Sequence, residues 1–401
     1  MNGYSAVDAA ARAGVQVEFF NQLLELGLVR ADPDGLFDAA EVRKAHLIKL
    51  LEAGGIAPDD LASVIRSQGL SLDFIGSAGY RVFALTSETT FSELAERNGL
   101  PVELLLVIRE AMGGVEARPD DLMRDDELEV VPLVELQLAE GLRPIAIERT
   151  LRVYGDSLRR IAEAEAEWWR TDLVGPMLAR GLTESDVAAR AGDISPRLSI
   201  ASDRATMAIY HAQQRHAWTT NIVGGIAGAF ARAGLRSQRE QYPAMCFLDI
   251  TGYTRLTQEQ GDEAAAGLAT KLSRLVQRTS LQFGGRAVKW LGDGVMLHFP
   301  DPGQGVVAAL EMVGGASDVG LPPAHVGLHS GPVIFQEGDF YGQTVNMASR
   351  IGEYARPGEV LVSQEVVDAA ADAPVTFREI GPVELKGVPV AMRLHSAHRG
   401  R

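Results

Sequence analysis

The chain has 401 residues, too many for one ordinary domain at roughly 100–200 residues each. Hydrophobic residues at 46% and charged residues at 23% exclude extensive disorder, collagen-like repeats and a coiled-coil rod. A formal charge of −15 means that a nucleic-acid or anionic-membrane surface would need a local basic patch working against the overall field. The single cysteine, Cys246, excludes an internal disulfide framework and a thiolate metal cage.

The opening residues, MNGYSAVDAAARAG, show neither the basic start nor the apolar core of a secretory leader, so a cytoplasmic location is expected. From about residue 5 to 235 apolar residues recur at three- and four-residue spacing, as in Phe19, Leu23 and Leu26 or Leu47, Leu50 and Leu51, which predicts an all-α region. An internal duplication runs through it. Gly14 faces Gly99 and Pro33 faces Pro119, while the pairs Gly55/Gly141 and Pro58/Pro144 both stand 86 residues apart. Matched breakers between matched apolar runs predict one supersecondary unit used twice, each a helix, a turn, a helix, a polar loop and a further helix starting near Glu41 or Glu127.

The first copy resembles the helix-turn-helix and wing of MerR-type regulators. Its second helix, VEFFNQLLEL, has no Lys or Arg, and residues 5–75 hold 6 basic against 11 acidic side chains. Phosphate contacts demand the opposite sign, so the unit reads as a scaffold for packing or signal reception and not as a DNA reader. Residues 152–173 predict a longer helix with Trp168 and Trp169 near its end, read as a core or interdomain anchor. The stretch from Trp218 to Leu235 is rich in Gly, Ala and Thr and carries Arg232. It falls short of the ~20 apolar residues of a membrane span and predicts a linker helix over 218–242. A boundary is expected in the polar run at 236–244.

After Tyr242 the texture changes. Short β-rich runs (AMCFLDI, RAVKWL, VMLHF, HVGLHSG, EVLVS) alternate with helical stretches at Asp262–Phe283 and Gly342–Tyr354, so the chain as a whole is α+β. In CFLDITGYT a buried strand delivers Asp249 to its open end, a common way to hold a hard divalent metal. In VKWLGDGVMLHF, Asp293 sits between Gly292 and Gly294 at the tip of a predicted hairpin. Taken alone, that aspartate is equally a turn former.

Four motifs occur in order: FLDITGYT (247–254), KWLGDGVM (289–296), VGLHSGPV (326–333) and YGQTVNMASR (341–350). With them, residues 243–397 resemble the catalytic domain of the class III adenylyl and guanylyl cyclases. The GG[DE]EF signature of the related diguanylate cyclases is missing. The resemblance implies a ferredoxin-like βαββαβ core with helices on one face, working as a head-to-tail homodimer. With the duplication, it divides the expected chain into a MerR-like helical unit at 1–85, a second helical unit with long helices at 86–217, both regulatory, the linker helix at 218–242 and a catalytic domain at 243–401. The implied reaction is attack of the 3′-hydroxyl of ATP on its own α-phosphate, giving cyclic AMP and pyrophosphate; the alternatives are a guanylyl cyclase and a catalytically silent cyclase-like domain on an interaction or DNA-binding module.

The site residues follow from the same resemblance. Asp249 and Asp293, with the backbone carbonyl of Ile250, are expected to hold two Mg²⁺ or Mn²⁺ ions. The base-selecting positions fall on Lys289 and on Asp339 in EGDFYG. A lysine can donate to adenine N1 and an aspartate can accept from its N6, whereas guanine offers the reverse polarity. Asn346 and Arg350, four apart in a helical pattern, share a face and are expected to orient the ribose and to neutralise the transferring phosphate. Lys386 in ELKGV is expected on the triphosphate. The aspartates and the Asn/Arg pair belong, in the family, to opposite subunits. His325 departs from the arginine common at its position; with His298 and His329 it raises pH response as an alternative to ordinary hydrogen-bonded strand histidines. Cys246 reads as a small core residue. A small regulatory ligand, protons or a partner are the expected inputs to the helical half.

Overall fold

The computed structural model describes residues 3–68, 72, 75, 85–114, 116–233 and 242–400. Two compact units divide at residues 222 and 223. The expected boundary at 236–244 and the end of the 218–242 helix fall largely outside the described residues.

The first unit opens with α1 (Ala6–Ala13), whose Ser5 cap accepts the Asp8 N–H, followed by α2 (Val17–Glu25), α3 (Ala39–Ala53) and α4 (Pro58–Gln68). The second copy comprises β1 (Thr86–Thr90), α5 (Phe91–Asn98), α6 (Val102–Ala111), β2 (Leu122–Arg124), α7 (Asp125–Leu128), α8 (Val131–Ala139) and α9 (Pro144–Trp168). Corresponding glycines adopt the same left-handed backbone: Gly14 and Gly99 at φ 67° and 65°, Gly27 and Gly113 at 72° and 78°, Gly55 and Gly141 at 91° and 81°. Each copy packs its own core, around Phe20, Phe37 and Ile48 in the first and Phe91, Leu105, Met123 and Ile147 in the second.

An acid at the matched position ties each copy together. Glu41 accepts from the Arg30 N–H and from Lys44 Nζ, both at 2.8 Å. Fully buried Glu127 takes Arg109 at 2.7 Å and the Arg124 N–H at 2.7 Å. Arginine and the amide outweigh the cost of burial and hold the Glu127 carboxyl below the usual range.

The region is not wholly helical, as the periodicity had implied. β1 pairs antiparallel with β2, and Tyr4 bridges Phe37 at the equivalent place in the first copy. The polar loop of each copy returns beside the residues entering the first helix, and main-chain pairing satisfies both there.

Beyond α9, Trp169–Val174 forms a π-helical turn, then α10 (Gly175–Ala179) and the 49-residue α11 (Glu184–Arg232) follow. The predicted linker helix is thus the end of a much longer one. Trp168 and Trp169 make an edge contact at 6.0 Å, but Trp168 is 39% exposed and is not part of this unit's core.

The second unit contains β3 (Ala244–Ile250), α12 (Tyr253–Gln260), α13 (Asp262–Gln282), β4 (Arg286–Leu291), β5 (Gly294–Phe299), α14 (Pro302–Gly315) and β6 (Ala324–Ser330). After them come β7 (Ile334–Gln336), β8 (Asp339–Tyr341), α15 (Gln343–Tyr354), β9 (Val360–Ser363), α16 (Gln364–Ala369), β10 (Val375–Val383) and β11 (Met392–Arg399). Seven strands run in the order β10-β11-β9-β6-β3-β5-β4. Within it β6-β3-β5-β4, all antiparallel neighbours, is the split arrangement of a βαββαβ unit, so the expected α+β ferredoxin-like core is present.

Alternation along β3 assigns its two faces. Ala244, Cys246, Leu248 and Ile250 pack with Leu272 and Val276 of α13 and Val306 and Met312 of α14. Met245 and Phe247 face the other way, toward Phe340 and Ala348. The two helices of the βαββαβ unit share one face, as expected, while α15 covers the opposite face. Covered on both sides, β3 reads as an almost continuous apolar run broken only at Asp249.

Candidate active site

Asp249 is the penultimate residue of β3, flanked across the sheet by Gly294 on β5 and His325 on β6. Its Oδ1 accepts the Ile250 N–H at 2.8 Å. Asp293 occupies the second position of the two-residue loop between Leu291 and Gly294, and Gly292 before it has φ 68°, which primed hairpin turns require at the first position. Burial raises the Asp249 carboxyl above its ordinary range and the charge of Asp293 raises it further, while the Ile250 amide and His325 pull it down. Gly294 keeps the space beside it open: a Cβ there would lie 3.1 Å from Leu248 O and 3.5 Å from Asp249 Oδ1.

A buried carboxylate whose proton affinity is raised by a neighbouring carboxylate suits a hard dication. Among the described residues no group of three or more His, Cys, Asp or Glu gathers as a ligand set. A pair of carboxylates could hold a divalent cation only with main-chain or substrate oxygens completing its shell. Ile250, with its side chain buried, can contribute only its backbone.

Lys289 and Asp339, 50 residues apart, come together: Lys289 Nζ lies 3.1 Å from Asp339 Oδ2. A bulge at Val288 shifts the β4–β5 register just before Lys289 and so re-aims it. Asp339 opens β8, and its Oδ1 accepts the Phe340 N–H at 2.8 Å.

Asn346 and Arg350 lie on the side of α15 opposite its buried residues Thr344, Met347, Ala348 and Ile351, and so point away from the sheet. The Arg350 guanidinium pairs with Glu353 at 2.6 Å, a partner the sequence reading missed although acid three residues on was its signal. Lys386 is exposed in the loop between β10 and β11, where buried Leu385 packs in one cluster with Met347 and Ile351 of α15.

The three imidazoles are not gathered in one place. His325 Nδ1 is 3.3 Å from Thr251 Oγ1; His329 Nδ1 is 2.8 Å from Ser363 Oγ; His298 stacks on Phe340 at 4.4 Å. Burial pushes His329 below the usual imidazole value, and burial with Arg286 pushes His298 down to about 4. Cys246 is fully buried with its thiol pushed up, as a core residue would be.

The family described as Adenylate and Guanylate cyclase catalytic domain matches residues 235–398, and the Adenylate cyclase regulatory domain matches residues 33–216. A pH-sensitive adenylate cyclase of Mycobacterium tuberculosis is 30% identical over 380 residues, covering 90% of this chain and 89% of that protein. The chain belongs to the adenylate and guanylate cyclase family. An adenylate cyclase of Streptomyces coelicolor is 35% identical over 137 residues, 33% of this chain and 36% of that one. The solved adenylyl cyclase of Pseudomonas aeruginosa is 24% identical, covering 40% of this chain and 95% of that chain with a TM-score of 0.36. In this cyclase the helical unit corresponds to an adenylate cyclase regulatory domain. Among the described residues no helix is long and apolar enough to cross a membrane.

Proposed function

We propose that the chain is an adenylate cyclase converting ATP to 3′,5′-cyclic AMP and pyrophosphate at two equivalent sites of a homodimer. The observation that carries the nucleotide assignment is the Lys289–Asp339 pair, which sets a donor and an acceptor 3.1 Å apart. Adenine N1 and N6 need that polarity; guanine would leave both groups unpaired at several kcal/mol.

The bond from the 3′-oxygen to the α-phosphorus forms as the bond to the β,γ-pyrophosphate breaks, and the hydroxyl proton passes to solvent water. Positioning and charge neutralisation dominate such a displacement. Asp249, Asp293 and the Ile250 carbonyl would hold two Mg²⁺ or Mn²⁺ ions, which supply Lewis-acid stabilisation of the 3′-oxygen and the triphosphate. Asn346 orients the ribose. Arg350 spreads its donors over the charged equatorial oxygens, and Lys386 holds the outer phosphates.

The dimer reading is supported by the direction of α15. Asp249 belongs to the sheet face that α15 covers, whereas Asn346 and Arg350 leave the helix on its far side. A second copy presenting its aspartates to that side completes the site. The regulatory half, in this reading a MerR-like scaffold without DNA binding, sets the population of closed dimers in response to a small ligand, protons or a partner. Incubation of the purified chain with ATP or GTP and Mg²⁺ or Mn²⁺, with identification of the product, tests the activity. Cyclic AMP from ATP is expected; cyclic GMP from GTP alone, or no cyclic nucleotide, would reject it.

A further inference from the structure

The base-reading Asp339 stands on β7–β8, a hairpin that pairs with itself and with no strand of the large sheet. Its turn is tight: Glu337 (φ 54°) is the one non-glycine residue at positive φ among the described residues, followed by Gly338 (φ 80°). No main-chain ladder fixes the hairpin against β4, so side chains must set the distance from Asp339 to Lys289.

Those side chains form a layered cluster. The Phe340 ring, 7% exposed, lies parallel to His298 at 4.4 Å and 7° and meets Phe335 at 5.0 Å. The Arg286 guanidinium sits over both phenyl rings, 5.5 Å from Phe335 and 5.6 Å from Phe340. Arg286 and His298 are cross-strand partners on β4 and β5. The cluster thus ties the hairpin to β4, the strand that carries Lys289, and to its neighbour β5. It also reaches the carboxylate directly, because the Phe340 amide donates to Asp339 Oδ1 and so turns Oδ2 toward Lys289. With its proton affinity depressed, His298 stacks as a neutral ring and leaves the positive charge to Arg286.

We infer that Arg286, Phe335, Phe340 and His298 are positioning residues for adenine recognition, clamping the β7–β8 hairpin so that Asp339 and Lys289 read one base edge. The inference rests on the adenylate cyclase reading and names the device that sets its base selectivity. None of the four touches the reacting atoms; they act through Asp339.

The test uses the full chain and steady-state kinetics with ATP and GTP. Arg286→Gln and Phe335→Leu alter exposed side chains, and Phe340→Leu alters the buried ring. Each should raise KM for ATP and lower the ATP/GTP ratio of kcat/KM by about fivefold or more, the scale on which small misplacements act. Arg286→Lys, which keeps a cation over the rings, should restore most of the ratio. Inhibition by tripolyphosphate, which has no base, should stay within about twofold of wild type, since the phosphate and metal groups are untouched. The inference is overturned if Arg286→Gln and Phe335→Leu leave the ratio unchanged while Asp339→Cys alters it. It is equally overturned if ATP use and tripolyphosphate inhibition fall together, which marks a general structural role. If Asp339→Cys itself leaves the ratio unchanged, base reading by Asp339 fails and the clamp fails with it.

Discussion

Gly327 on β6 and Gly352 on α15 meet backbone to backbone: a Cβ on Gly327 would lie 2.1 Å from the Gly352 nitrogen and 2.6 Å from its Cα. No flexible side chain intervenes to give way, so the glycine pair sets how closely the helix bearing Asn346 and Arg350 lies on the sheet. Gly327→Ala is expected to destabilise by about 1–3 kcal/mol through overpacking. Displacement of α15 should also lower kcat by about 10- to 100-fold. Thermal unfolding and kinetics of the same variant check both, and an unshifted unfolding midpoint would show that α15 can move aside freely.

On the proposed two-metal site, Asp249→Ala and Asp293→Ala should each leave no more than about a few per cent of wild-type turnover, because each would remove a ligand shared by both ions. Mixing inactive Asp249→Ala chains with inactive Arg350→Ala chains should restore activity, since one of the two sites in a mixed dimer is intact. Demonstrated mixed dimers without activity would place each site within one chain.

Base choice should reverse without the metal pair being touched. Lys289→Glu combined with Asp339→Cys inverts the polarity presented to the base, so ATP use should fall sharply and relative GTP use should rise. The ratio of kcat/KM for the two nucleotides is the measurement, and a ratio equal to wild type would reject the assignment.

His298 makes the stability depend on pH. Its folded value of about 4 lies below the 6.5 of a free imidazole, so between these values the unfolded chain binds the proton and the folded chain does not. Stability from this group is therefore full above pH 6.5 and declines as pH falls toward 4, by on the order of 3 kcal/mol in all. His298→Phe keeps a stacking ring and removes the titration. Denaturant unfolding of both proteins from pH 7.5 to 4.5 should show wild type losing stability relative to the variant, and parallel curves would contradict the assignment.

A chain beginning at Arg236 should retain the chemistry but differ from the whole protein in kcat or dimer affinity by several-fold, a coupling of about 1–3 kcal/mol. Equal rate, dimerisation and pH profile would turn the helical half from a regulator into a docking element.

Local chain geometry made much of this legible beforehand. The paired glycines Gly14/Gly99 and Gly55/Gly141 marked left-handed turns that only glycine takes easily, and they recur at matched φ in both copies. The apolar run ending in Asp249 and the Gly-Asp-Gly tip both read correctly, since strand alternation and turn chemistry are short-range properties. The length of α11 was not legible, because Gly and Pro196 within it weaken the helical signal that neighbouring turns restore.

Relationships between distant elements waited for the tertiary structure. The 50-residue approach of Lys289 to Asp339 depends on a bulge at Val288 and on aromatic packing of a separate hairpin, neither of which has a periodic signature. The seating of α15 depends on two glycines 25 residues apart meeting across an interface. Sequence by itself determined which side chains stand at strand ends, turns and helix faces, because φ, ψ and side-chain period are set by near neighbours. Which of those side chains meet was decided only in the fold, because contact between elements is set by the shape of the packed surfaces and not by any one segment.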